Sequence, residues 1–136
     1  MNQTMATKAI AAILFLLALL GCSSAGSDGA EGEVPGLLEL ETFLTNIRDD
    51  SGDRYCKVTV KLAVTPAGRA SELQEDPLMQ ARIRDEILTM LAGKTFAELS
   101  DPVGKEAFRE EMRTKVGTLL PSAQIQQVLF SEFIVQ

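Results

Sequence analysis

The chain has 136 residues, 46% of them hydrophobic and 24% charged, the proportions of one folded domain. Thirteen Lys and Arg against nineteen Asp and Glu leave a net charge of −6, which argues against nucleic acid as a partner, since phosphate backbones demand a basic surface. There is no His, which excludes His-based triads, His metal sites and His pH switches, and two Cys are too few for a disulfide-stapled scaffold.

Residues 1–8 carry one positive charge, Lys8, and no negative one. Residues 9–20 then run without a polar side chain. A membrane-spanning helix needs roughly 20 apolar residues; this shorter run has the length of a signal-peptide hydrophobic region. It ends in Leu19-Leu20-Gly21-Cys22, followed by Ser23 and Ser24, which resembles a bacterial lipobox with Leu20 where a smaller residue is commoner. The pattern implies a lipoprotein-type signal peptide over residues 1–21, cleavage between Gly21 and Cys22, and lipid attachment at Cys22. The alternative is an uncleaved signal anchor in which Cys22 is an ordinary apolar residue. Both place the rest of the chain outside the cytoplasm and tethered to a membrane. Several acyl chains on one Cys hold firmly, because each buried CH₂ contributes ~0.8 kcal/mol.

Residues 22–35 form a small-residue, acidic stretch with Asp28, Glu31 and Glu33 and no base. Such a segment buries too little apolar surface to offset its ordering entropy, so it reads as a flexible tether spanning ~20 Å. Its acidity disfavours adhesion to anionic headgroups, which makes it a spacer and not a second anchor.

The domain is expected over residues 36–136. Residues 37–47 read as a first strand, with Leu38, Leu40, Thr42 and Leu44 on one face. The turn formers Arg48-Asp49-Asp50-Ser51-Gly52-Asp53 follow. In the second strand Cys56, Val58, Val60, Leu62 and Val64 alternate with Tyr55, Lys57, Thr59, Lys61 and Ala63, giving an apolar inner face and a mostly polar outer one. The two strands make a β-hairpin. Residues 65–76 read as a connecting loop. Pro77 opens an amphipathic helix carrying Met79, Ile83, Ile87, Met90 and Leu91 on its apolar face and ending at Gly93. Residues 96–99 form a short link. Ser100-Asp101-Pro102 then starts a second helix, with Phe108, Met112, Val116, Leu119 and Leu120 buried and Pro121 as its stop. Residues 124–135 return to strand chemistry, apolar enough to suggest a strand covered on both faces or paired with another chain. The order β-β-α-α-β predicts an α+β domain, an antiparallel-type sheet with helices packed on one face.

The candidate chemistry is thin. Asp49, Asp50 and Asp53 invite a calcium loop, but their spacing is wrong and a hairpin turn accounts for them. Cys56 has no His to activate it and falls on the inner face of a strand, as buried thiols do. Asp85-Glu86 and Glu110-Glu111 are sequence neighbours on helices, so each pair points to different faces and makes no acid/base couple. Gly93-Lys94-Thr95 resembles the end of a phosphate loop, without the preceding glycines and after a helix where a strand is required. No catalytic residue, cofactor site or metal site is expected, and the chain does not read as an enzyme.

Five segments, in order, resemble the flagellar basal-body-associated FliL family. They are Glu41-Thr42-Phe43-Leu44-Thr45-Asn46-Ile47, Arg54-Tyr55-Cys56-Lys57-Val58-Thr59-Val60, Ile83-Arg84-Asp85-Glu86-Ile87-Leu88 through Gly93-Lys94-Thr95-Phe96-Ala97-Glu98-Leu99-Ser100, Gly104-Lys105 with Arg109-Glu110-Glu111, and Val128-Leu129-Phe130-Ser131-Glu132-Phe133-Ile134-Val135-Gln136. Cys56 stands where the family carries an apolar residue. The resemblance implies a periplasmic domain with a stomatin-like (SPFH-like) fold, a homo-oligomeric ring around flagellar stator proteins, and a scaffold role in torque, swimming and swarming at the inner membrane. The family's usual transmembrane helix is replaced here by the lipobox-like signal. Ser23 after Cys22 is not the Asp associated with inner-membrane retention, so an outer-membrane lipoprotein adaptor is the alternative.

Overall fold

The computed structural model describes residues 32–136. The signal peptide expected over residues 1–21 and the tether residues 22–31 lie outside the described residues. The chain enters its sheet at β1 (Gly36–Glu39) and continues into β2 (Phe43–Ile47); these lie end to end along one side of β3 (Arg54–Thr65), both antiparallel to it. The last strand, β4 (Gln124–Val135), pairs antiparallel along the other side of β3.

The single first strand expected over residues 37–47 is therefore interrupted. Glu39 is opposite Lys61 and Phe43 is opposite Val58, so the edge strand uses four steps where β3 uses three. One extra residue reverses the side-chain phase, because strand side chains alternate with a period of two. Leu38 and Leu40 are buried before the break, and Phe43 and Ile47 after it. Leu44, expected to share the face of Leu38 and Leu40, is turned outward instead.

The β2–β3 hairpin forms as predicted. Asp49 organises its turn, its carboxylate accepting from the Ser51 hydroxyl and from Arg54 Nε at 2.8 Å. Gly52 closes the turn at φ +142°, where a side chain would be strained.

Between β3 and β4 the chain makes four helices, two more than the sequence reading expects: α1 (Ala67–Gln74), α2 (Pro77–Ala92), α3 (Phe96–Ser100) and α4 (Pro102–Thr118). The first occupies the stretch expected to be a loop. It buries only Ala70 and Leu73 and lacks a side-chain N-cap, so its stability comes from packing on β1. Gln74 Oε1 accepts the Glu39 backbone N–H at 2.9 Å and seals the end of β1. The third replaces the expected link at residues 96–99 and is started by a capping box: Thr95 Oγ1 accepts from Glu98 N–H, and Glu98 accepts from Thr95 N–H. The two predicted helices start where expected. Asp76 caps α2 and Asp101 caps α4, each followed by Pro at the first helical position.

All helices lie on one face of the sheet. From β3, Cys56, Val58, Val60, Leu62 and Val64 are wholly buried against Ile83, Ile87 and Leu91 of α2, Leu99 of α3, and Phe108, Met112 and Val116 of α4. Each large side chain so buried contributes ~1.5–3 kcal/mol relative to exposure. The continuous apolarity of β4 has a different cause from the expected two-sided burial. Its register to β3 slips between Thr59 and Val60 and between Ala63 and Val64, leaving Ser131 and Gln126 as extra residues. The first slip lets Phe130 and Phe133, three apart, both turn toward α4. Their rings meet each other at 5.0 Å, and Phe108 at 6.1 and 6.5 Å. The bulged residues hold to β3 through their side chains, Ser131 Oγ donating to the Thr59 carbonyl and Gln126 Nε2 to Thr65 Oγ1.

Candidate interaction surfaces

Among the described residues, no element covers the side of the sheet opposite the helices. The strand registers arrange it in rows: Asn46–Tyr55, Leu44–Lys57–Ile134, Thr59–Glu132, Lys61–Leu129 with Glu39, and Leu37–Ala63–Gln127. Several of its polar groups pair across strands. Lys61 bridges Glu39 at 2.5 Å, Lys57 bridges Glu132 at 3.0 Å, and Thr42 and Thr59 share a hydroxyl hydrogen bond of 2.8 Å. At the end of the sheet Gln136 exchanges both backbone hydrogen bonds with Tyr55 and accepts from its hydroxyl. Between these pairs stand the exposed Leu37, Leu44, Tyr55 and Ile134.

Two further features border the sheet. The strand break and the α1–α2 junction enclose a cleft of about 330 Å³ lined by Glu41, Phe43, Gln74, Gln80 and Arg84. Arg84 stacks on the Phe43 ring at 4.9 Å and reaches Glu41 at 3.5 Å, which occupies its charge within the chain. At the β4 edge, Lys105 and Arg109 of α4 lie over Phe133 and Phe130 and close the aromatic cluster.

The residues with candidate chemistry are dispersed. The Cys56 thiol is wholly buried, and that burial pushes its pKa up to about 11, against a small opposing pull from Lys105. A thiol so placed is an apolar core group, as its strand position predicts. Asp49 sits in its turn with its pKa lowered, first by the Ser51 hydroxyl and then by Arg54. Among the described residues no group of three or more His, Cys, Asp or Glu is placed to hold a metal ion. Glu111 is separated in role from its neighbour Glu110: Lys94 and Lys115 flank Glu111 at 2.5 and 3.2 Å, while Glu110 pairs with Arg113. Lys94 is thereby spent on tying the end of α2 to α4. Cys22 lies outside the described residues. No helix among the described residues is long and apolar enough to cross a membrane.

Tyr55 was legible from strand alternation as an outer-face position, whereas Ile134 was not, because the apolar run of residues 124–135 suggested a covered strand. Leu44 was not, because the strand break that re-aims it carries no Gly, Pro or other local mark.

This is a small α+β module that presents surfaces, a one-sided sheet backed by a helix layer. The comparison with known proteins is specific about which one: residues 37–136 match the family described as flagellar basal body-associated protein FliL, and the chain belongs to that family. A flagellar protein FliL from Aquifex aeolicus (strain VF5) is 29% identical over 105 residues, covering 76% of this chain and 63% of the relative. Another from Bacillus subtilis (strain 168) is 21% identical over 103 residues, covering 76% of this chain and 69% of the relative. The chain thus spans under two thirds of the length of the Aquifex protein.

Proposed function

We propose that this protein is a non-enzymatic accessory of the flagellar motor, anchored outside the cytoplasm and assembled into a ring-like scaffold around the stator units, where it supports torque and swimming or swarming. Membership of the FliL family over residues 37–136 is the observation that carries this reading. The stomatin-like fold that the family implies belongs to the same proposal. So does the route to the membrane: a lipid on Cys22 after removal of residues 1–21, with residues 22–35 as a spacer. The site of action is the periplasmic face of the inner membrane.

The test is to image the full chain, with a C-terminal fluorescent tag that folds in the periplasm, beside labelled motors. A spacer before the tag keeps Gln136 on Tyr55. Foci that coincide with motors and disperse when stators are deleted are the expected result. One feature favours a second reading, an outer-membrane lipoprotein adaptor that keeps the fold without the stator partner: Ser23 follows the lipidation candidate. A uniform envelope signal indifferent to motors, with normal swimming on deletion, would select it.

A further inference from the structure

β4 is an edge strand: it pairs with β3 on one side and, among the described residues, with no strand on the other. The phase of that free edge follows from its end, where Tyr55 and Gln136 exchange both backbone hydrogen bonds. In an antiparallel ladder such pairs alternate with pairs whose N–H and C=O point away from the partner strand. Val135 and Phe133, opposite Cys56 and Val58, therefore turn their backbone donors and acceptors outward. Beyond the extra residue Ser131, Phe130 does the same: it is opposite Val60, whose own carbonyl faces the other way and accepts from Leu40 N–H. Phe130, Phe133 and Val135 are all partly exposed. An unpaired edge of this kind is a template for one more strand.

The chain carries −6, yet α4 lines this edge with bases. Lys105, Arg109 and Arg113 are four residues apart, so they form one stripe along the helix. Lys105 Nζ lies 5.0 Å from the centre of the Phe133 ring and the Arg109 guanidinium 4.9 Å from that of Phe130, which sets the stripe against the outward-facing stretch of β4. Two of these cations are lightly held. Among the described residues Lys105 has no carboxylate partner. Arg109 is 3.6 Å from Glu106, beyond hydrogen-bond distance, and its buried Nε has no acceptor. The acids of α4 stand further out. At ~100° per residue Glu106 and Glu110 are about 160–200° round from the buried Phe108, against about 60–100° for Lys105 and Arg109. The one acid in this part of β4, Glu132, is on the open face and paired with Lys57.

We propose that the free edge of β4 from Phe130 to Val135 takes an extended acidic segment of another protein as an added strand, with the segment's carboxylates against Lys105 and Arg109. Strand side chains alternate, so only every second residue of the segment faces the basic stripe. The others lie on the open face beside Leu129 and Ile134, where apolar residues fit. The ligand is therefore an alternation of acidic and apolar residues and not a bare acidic run. An exposed ion pair such as Arg109–Glu106 contributes at most about 1 kcal/mol, so an incoming carboxylate displaces Glu106 at small cost. Pairing two copies through their β4 edges would set base against base, which opposes a second copy as the occupant. The proposal concerns the domain alone and does not rest on the ring or the anchor.

The experiment uses the full chain in nonionic detergent micelles and a fluorescently labelled synthetic peptide of alternating Glu and Val, read by anisotropy. Saturable binding is expected, at least about tenfold tighter than for the same peptide with Lys in place of Glu, and weakening as salt is raised. Backbone pairing has its own signature. Methyl groups on every second peptide nitrogen should abolish binding in one of the two phases and spare it in the other, because an added strand turns alternate N–H groups toward β4. Lys105→Gln with Arg109→Gln should weaken binding at least about tenfold, with circular dichroism and the melting temperature verifying the fold. Glu106→Gln leaves both aromatic stacks in place and should strengthen binding by releasing Arg109. Absence of saturable binding would leave the bases and the bulge as guards of an idle edge, and overturns the proposal. So does equal binding of the two methylated peptides, which would mean charge attraction without strand addition, and so does a Lys peptide that binds as well as the Glu one. Absence of peptide binding together with self-association that Lys105→Gln with Arg109→Gln removes would give the edge to a second copy and overturns it equally.

Discussion

At Cys56 the environment decides what the side chain is for. The thiol packs among Val58, Phe133 and their neighbours in the core, and burial holds its proton to about pH 11 against an ordinary 9.0. In a Cys22→Ala background a thiol reagent at pH 8 should therefore leave Cys56 unmodified in the native protein and react on denaturation; rapid native labelling would contradict this. The raised pKa also sets a sign. Above pH 9 the unfolded chain releases a proton that the folded chain keeps, so stability should fall as pH rises from 9 towards 11, and Cys56→Val should flatten that limb of a denaturation series. Gly104 is constrained by distance and not by conformation. A Cβ built there would lie 1.9 Å from the Glu98 carbonyl oxygen, where α4 starts against α3. Backbone has to move to admit it, so Gly104→Ala should destabilise by about 1–3 kcal/mol in urea unfolding, while Ala at Gly117, which has open space, should not.

Elements here are made by caps as much as by apolar stripes. Asp101 accepts from Gly104 N–H at 3.1 Å, and Asp101→Ala should cost about 1 kcal/mol. Glu111 joins α4 to the end of α2 through Lys94, whose hydrogen bond is the chief reason its pKa is lowered. A lowered carboxylate pKa gives stability that is present above the unfolded value of 4.5 and is lost as pH falls through the folded one. Glu98 in the α3 capping box acts in the same direction, through the Thr95 backbone N–H first and its hydroxyl second. Acid unfolding should thus begin below about pH 4.5, and Glu111→Gln should be less stable than the parent at pH 7 but lose less between pH 5 and 3; equal acid limbs would show the pair to be idle. The same caps explain which elements were legible. The starts of α2 and α4 could be read because Asp-Pro states a cap and a first turn in two residues. Thr95-x-x-Glu98 states a capping box with equal force, but five residues of helix are too few to show a periodicity. The first helix had no local signal to read: Pro66 and Gly68 look like loop, and only two of its side chains, Ala70 and Leu73, are buried.

For the whole molecule, legibility divided along strand register. The alternation of β3 announced the one-sided sheet and the α+β class, and the hairpin followed from it. The slips were hidden, since a bulge is a relation between two strands and not a property of either. They account for Leu44 facing outward beside Ile134 and for the apolar run of β4. How the open face is presented depends on where the chain is held. Gly36 begins β1 opposite Val64, at the same end of the sheet as Thr65 and Gln124, while Gln136 sits at the other end beside Tyr55. Attachment through Cys22 can be tested independently of any partner. Cys22→Ala should release or mislocalise the protein on fractionation, and the parent's intact mass should show loss of residues 1–21 and gain of acyl chains. Because the substitution lies outside the family-matched residues 37–136, the variant's melting transition should be unchanged. Identical fractionation with an unmodified, full-length mass for the parent would discard the lipid and leave residues 9–20 as an uncleaved anchor.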